Sequence, residues 1–205
     1  MVMMSLLTIE KISDSVCQHS PRRYPIRSTT RKAAVAIILR PAGDHTEALF
    51  ILRSQKEGDP WSGQMAFPGG HHDVGDETLR HAAERETLEE VGVDLEKSGR
   101  LIGEIDWVQA NPRGRNIDMV VAPFVYELTE LNPDITPNYE VADVLWGSLN
   151  DMHAGHSLTD GDFIIADETF SYRGYSVGEE IVWGLTYRML DYFFTIADPD
   201  WVPHD

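Results

Sequence analysis

The chain has 205 residues, 42% hydrophobic and 25% charged, with 16 Gly and 11 Pro. That is the usage of one globular domain with elaborations, and it excludes a disordered tail, a collagen-like repeat and a coiled coil. A net charge of −17 argues against binding to nucleic-acid backbone, and the single cysteine, Cys17, rules out an internal disulfide or a cysteine metal cage.

The charge is unevenly spread. Residues 1–40 hold seven Lys/Arg against Glu10 and Asp14, whereas residues 127–205 hold Arg173 and Arg188 against 16 carboxylates. A small phosphorylated ligand stays compatible with this balance where positive charge is supplied locally; the acidic C-terminal region reads as a solvated face. No apolar run approaches the ~20 residues of a membrane span. The start, MVMMSLLTIEKISDS, has no basic stretch before its apolar residues. The expected setting is therefore the cytoplasm, with no membrane partner.

In chain order, Leu6, Leu7, Ile9, Ile12 and Val16 recur at three- and four-residue spacing and predict an amphipathic helix over 4–18. Its apolar face packs either on the core or on a second copy of the chain, a homodimer. With the basic irregular stretch that follows Ser20-Pro21, it makes residues 1–30 an N-terminal extension. Strands are predicted at Ala33–Arg40 and Ala48–Arg53, separated by a loop over Pro41–His45. A polar loop then runs from Ser54 to Gln64. Residues 76–91 predict a helix with Asp76 as N-cap and Gly92 as its stop. Leu101–Val108 and Met119–Tyr126 predict strands around a loop carrying Arg113 and Arg115, and Val141–Leu149 is ambiguous. Phe163–Ala166 and Thr169–Tyr172 predict a hairpin, and Glu179–Ile196 a closing helix. Strands mixed with a few helices predict a mixed β-sheet flanked by helices, an α+β arrangement in one domain over 1–205.

The chemistry concentrates on one helix. Glu86, Glu89 and Glu90 stand at i, i+3 and i+4 and share a face that continues Leu79, Ala82 and Ala83. All three lie near the negative end of the helix dipole, where each anion costs roughly 0.3–1 kcal/mol. Arg85 alone cannot neutralise them. A cluster set against its own electrostatics points to a cation, and hard carboxylate oxygens suit Mg²⁺ or Mn²⁺ with phosphate oxygens completing the shell. Upstream, Phe67-Pro-Gly-Gly70 lets backbone come close to a diphosphate.

The segment 69–93 resembles the box of the Nudix hydrolase family: Arg85, Glu86, Glu89, Glu90, Gly92 and Val93 match at the family spacing, and Glu77 falls on the upstream Glu. Two positions depart from the pattern. The first Gly falls on His71, one residue after Gly70, and Thr87 replaces an aliphatic residue. The extra residue resembles the coenzyme A pyrophosphatase branch, as do Leu52-Arg-Ser54, Gly63–Gly70 and Ile181–Thr186. The Arg of that branch's motif falls instead on Gly58 or Asp59.

The resemblance implies a Nudix-type α/β/α sandwich that hydrolyses the diphosphate linkage of a nucleoside diphosphate joined to another group. It implies that Glu86, Glu89 and Glu90, with a carbonyl near Gly70, hold the divalent ion and that Arg85 orients the glutamates. Glu89, Glu90 or Glu140 then takes the proton of the attacking water. A coenzyme A-like substrate is favoured, with ADP-ribose or another nucleotide conjugate as the alternative, and Arg53, Lys56, Arg113 and Arg115 are the local candidates for its 3′-phosphate. Gly69, Gly70 and His71 lie beside the expected diphosphate. A reading of another class is a catalytically silent module that binds a nucleotide to regulate something else. Trp61, Trp107, Tyr139 and Trp146 either stack on a base or fill the core.

Overall fold

The computed structural model describes residues 7–110, 117–130, 133–165 and 168–204. Helix α1 (Ile9–Val16) is capped by Thr8, whose hydroxyl accepts the Lys11 N–H at 3.3 Å. Strands β1 (Arg31–Ala42) and β2 (His45–Arg53) pair to their very ends, Ala42 opposite His45. The loop expected over Pro41–His45 is therefore a two-residue turn, with Gly43 at φ +67°. A tight turn of this kind draws its flanking residues into the ladder.

Short strands β3 (Met65–Ala66) and β4 (Gly69–His71) lead into helix α2 (Leu79–Val91), followed by a helical turn α3 (Leu95–Ser98). The strand predicted over Leu101–Val108 is two strands, β5 (Gly99–Glu104) and β6 (Val108–Gln109). Between them Trp107 N–H leaves the ladder to bond the Arg22 carbonyl at 3.0 Å. Then come β7 (Met119–Leu128), β8 (Val141–Ser148) and α4 (Leu149–His153). The ambiguous segment from Val141 is thus a strand.

The hairpin foreseen near 163–172 is longer, β9 (Leu158–Ile165) against β10 (Glu168–Val177). The closing helix starts later than predicted. Residues Glu180–Trp183 form β11, paired to β10, and α5 runs from Gly184 to Ala197. Val182 is fully buried opposite Tyr175, so sheet pairing overrides the helical spacing at that point.

Among the described residues the main sheet has eight strands. Its centre is the parallel pair β1–β7; β2 and β4 pair β1, β5 and β6 pair β7, and β3 and β8 pair β2, all antiparallel. Strand β1 is buried on both faces, and its alternation assigns them. Ala33, Val35, Ile37 and Leu39 face one cluster with α1 and α5, while Ala34, Ala36 and Ile38 face a second with α2. This is a mixed sheet between helical layers, as expected. The apolar face of α1, with Ile12 and Val16 buried, packs on the chain's own core beside Phe193 and Phe194. Among the described residues no helix is long and apolar enough to cross a membrane.

Candidate active site

Helix α2 approaches β1 closely because both surfaces are small: Ala82 and Ala83 meet Ala34 and Ala36. Its N-cap is Thr78, whose Oγ1 accepts the His81 N–H at 3.1 Å. Asp76 is therefore not the cap. Its C-terminus closes as expected on Gly92, left-handed at φ +76°. One and two turns beyond the alanines, the same face carries Glu86 and Glu90 down onto β4. Glu90 is 2% exposed, and its Oε2 accepts the Gly69 N–H at 2.8 Å. The Glu86 carboxylate lies against Gly70, so close that a β-carbon there would stand 2.4 Å from its Cδ. Glu89 points outward with its side chain half exposed.

Burial raises both inward acids. The Glu90 carboxyl is pushed up to about 7, with Gly69 N–H and Arg53 pulling it down and the neighbouring Glu86 and Glu140 charges pushing it further up. Burial likewise pushes Glu86 up, against the pull of Arg85.

Arg85 organises the outer side. Its Nε and Nη2 donate to the two oxygens of Asp76 at 2.9 and 3.0 Å, Nη1 donates to Glu86 at 3.0 Å and Glu89 at 3.3 Å, and Nη2 also reaches the His71 carbonyl at 3.1 Å. Asp76 is the residue that sequence reasoning placed in the wrong role. The run Asp76-Glu-Thr78 offers two capping side chains for one helix, which leaves the buried Asp76 to hold Arg85. That bidentate bond keeps its carboxyl at about 2.

A carboxyl held below its unfolded value stabilises the fold above that value and loses the contribution as pH falls through the folded one. Asp76→Asn is therefore expected to lower unfolding free energy by about 2 kcal/mol above pH ~4, with the gap to wild type closing towards pH ~2. Urea unfolding of both proteins across that range checks it; a gap independent of pH refutes the assignment.

The other wall is built by β2 and the segment before β8. Arg53 Nη2 donates to Asp59 at 2.7 Å, its Nη1 stands 3.9 Å from Glu90 Oε1, and its buried Nε has no hydrogen-bond partner among the described residues. Asp59, one of the two positions with Gly58 on which the related motif's Arg falls, is thus the counter-ion of Arg53. Glu140 receives Lys56 Nζ at 3.2 Å and stands near enough to raise Glu86 and Glu90.

Beside Gly69 and Gly70 opens an apolar pocket of about 130 Å³, walled by Val35, Trp61, Phe67, Met119, Leu185 and Met189, with Arg53 and His71 also lining it. Thr186 Oγ1 donates to the Met65 carbonyl at 3.0 Å, which ties α5 to β3 and brings Leu185 and Met189 into this wall. Of the other aromatic candidates, Tyr139 is 86% exposed, Trp107 is buried, and Trp146 lies under the Arg40 guanidinium at 3.8 Å.

The fold thus gathers Arg53, Gly69, Gly70, His71, Arg85, Glu86, Glu89, Glu90 and Glu140 around one turn, with Lys56 tied to Glu140. Arg113 and Arg115 lie outside the described residues. Among the described residues no three acidic, His or Cys side chains already form a coordination shell, because Arg85 and Gly69 N–H engage the carboxylates. The donor chemistry nonetheless fits a divalent cation. All three are hard carboxylate oxygens, and a cation would relieve the burial cost of Glu86 and Glu90.

A mixed sheet between helical layers, with an acidic helix seated on a double-glycine turn, is the arrangement expected above for the Nudix fold. The family model described as NUDIX domain matches residues 29–166, and the chain belongs to that family. An uncharacterized protein of Schizosaccharomyces pombe, C14C4.10c, is 31% identical over 153 residues, 66% of this chain; the chain spans 46% of that relative's length. The mitochondrial coenzyme A diphosphatase NUDT8 of Mus musculus is 28% identical over 164 residues, 78% of this chain and 75% of that protein. A crystal structure of a Caenorhabditis elegans Ap4A hydrolase binary complex superposes with a TM-score of 0.51 at 23% identity, covering 61% of this chain and 85% of that one. That likeness speaks to the fold.

Proposed function

We propose that the chain hydrolyses the diphosphate linkage of a nucleoside diphosphate joined to another moiety, with a coenzyme A-like molecule as its favoured substrate. The observation that carries this reading is the seating of two mutually repelling carboxylates, the half-buried Glu86 and the buried Glu90, on Gly69-Gly70 at the edge of an apolar pocket. Glu86, Glu89, Glu90 and the Gly70 carbonyl would hold Mg²⁺ or Mn²⁺. The chemistry such a cation supplies is charge neutralisation on the diphosphate and acidification of water.

The chain's own residues do the rest. Arg85, anchored by Asp76, fixes the rotamers of Glu86 and Glu89. Gly69 and Gly70 let the diphosphate approach the backbone, with His71 beside it. The proton of the attacking water passes to Glu89, Glu90 or Glu140, all within the one cluster, and in-line attack then needs mainly positioning. Arg53 and Lys56, each already paired to an acid, serve the polar rim. The apolar pocket suits a substrate arm of low polarity, which favours a coenzyme A-like molecule over ADP-ribose. The similarity to NUDT8 supports the same order. Residues 1–205 act in this reading as one cytoplasmic Nudix domain.

The test is a panel of coenzyme A, ADP-ribose, dinucleoside polyphosphates and nucleoside triphosphates with Mg²⁺ or Mn²⁺, products identified by mass. Nucleotide binding without any phosphate-containing product would instead support a silent regulatory module. Metal binding has its own expected result. Mn²⁺ raises the melting temperature of wild type, its stabilisation of the native state growing with the logarithm of concentration above Kd and reaching about 2.7 kcal/mol at a hundredfold excess. Glu90→Gln loses most of that rise; an equal rise in both proteins refutes the ligand assignment.

A further inference from the structure

Of the 15 Lys and Arg among the described residues, 11 stand within ion-pairing distance of a described carboxylate. In a chain with 34 acids, the four without one are the informative set: Arg27, Arg31, Lys32 and Arg188. Strand alternation separates them. Lys32 shares the β1 face of Ala34 and Ala36, towards α2, and Arg27 lies in the turn that Thr30 N–H closes onto its carbonyl at 3.1 Å. Arg31 shares the face of Ala33 and Val35, both of which line the apolar pocket.

Arg188 reaches the same place from the other side. It precedes the pocket residue Met189 on α5, and its Nη1 donates to the Gln109 carbonyl at 3.4 Å. Arg31 registers with Met119 of β7, whose carbonyl accepts the N–H of Ala110, next to Gln109. Met119 lines the pocket between them. With strands ~4.8 Å apart, the two exposed arginines therefore flank one end of the pocket, within reach of a common anion. Arg31 stands three residues along β1 from Ala34, the partner of Gly70, which is about 10 Å from the diphosphate turn.

We propose that Arg31 and Arg188 form a second anion subsite at the mouth of the apolar pocket, which takes a phosphomonoester borne by the nucleotide outside its diphosphate. Two guanidinium groups without counter-ions among the described residues, in a strongly acidic molecule, are poised for a dianionic group, and Arg is the side chain that binds phosphate through paired donors. The proposal rests on reading the pocket as the substrate cleft. It moves recognition of the extra phosphate away from Arg53 and Lys56, which Asp59 and Glu140 already occupy.

The test is calorimetric binding of AMP, adenosine 3′,5′-bisphosphate and adenosine 2′,5′-bisphosphate to wild type, Arg31→Gln, Arg188→Gln and, as a charge-matched control, Arg80→Gln. Wild type is expected to bind one bisphosphate roughly tenfold or more tightly than AMP, and the isomer with the larger gap places the phosphate. Arg31→Gln and Arg188→Gln each erase most of that gap, Arg80→Gln retains it, and added KCl narrows it. Equal affinities in wild type, or a gap that persists in both variants, overturn the subsite. Turnover separates the two readings. Equal hydrolysis of coenzyme A and its 3′-dephospho form leaves the hydrolase standing and the subsite refuted. An Arg31-dependent binding gap without hydrolysis of any diphosphate does the reverse.

Discussion

Glu89→Gln is expected to lower turnover by roughly 10²–10⁴-fold while changing folding free energy by less than about 0.5 kcal/mol. The two halves of that result follow from one fact of placement. The Glu89 side chain is 55% exposed, and among the described residues its tie is the 3.3 Å contact with Arg85, a turn away on the same helix. An exposed i,i+4 pair is worth a few tenths of a kcal/mol, so its loss cannot unfold the domain. Gln keeps the shape and removes the charge, which isolates the chemistry. Steady-state kinetics with denaturant unfolding checks both halves together, and near-normal turnover sinks the role given to Glu89.

The paired glycines give the second large effect, and the two substitutions are expected to fail differently. At Gly70 a new β-carbon would stand 2.4–2.6 Å from the Glu86 carboxyl atoms, the far end of a flexible side chain. Gly70→Ala should therefore fold, swing Glu86 out of the cluster and lose about 10²-fold in turnover, the scale of a misplacement near 1 Å. Gly69 has φ +149°, and its β-carbon would meet the Ala34 carbonyl oxygen at 2.3 Å and Val35 Cα at 2.6 Å, both backbone atoms of the central strand. Gly69→Ala should cost about 3 kcal/mol or more in stability. Comparison of urea midpoints and residual activity for the pair separates a glycine that makes room for an acid from one that makes room for a strand. A destabilised Gly70→Ala of normal specific activity would refute the placement of Glu86.

Much of the site was legible before any coordinates because helical spacing is local. The i, i+3, i+4 placement of Glu86, Glu89 and Glu90 sets one face, and the alanines a turn earlier place its Glu86 and Glu90 side inward, while Glu89 at its edge points out. What periodicity cannot reveal is which oxygen meets which partner. The bond from Asp76 to Arg85 spans a loop, and the pairing of Arg53 with Asp59 depends on how residues 54–64 turn back. Helical spacing misled at Glu180–Trp183, where a neighbouring strand offered the backbone a ladder. It gave no guide at Val141–Ser148, which became a strand along β2.

The sequence by itself determined the class of this protein: a globular composition, a mixed sheet with few helices, and an acidic helix after a double glycine, because those signals rest on chain spacing and local conformational preference. Only the tertiary structure decided that Glu90 is buried on the Gly69 amide and that an apolar pocket walled by β1, β4, β7 and α5 residues opens beside it. Those features join β1, β4, β7, α2 and α5, segments up to about 160 residues apart in sequence, and contacts over such separations are fixed by packing and strand register, which no local pattern encodes.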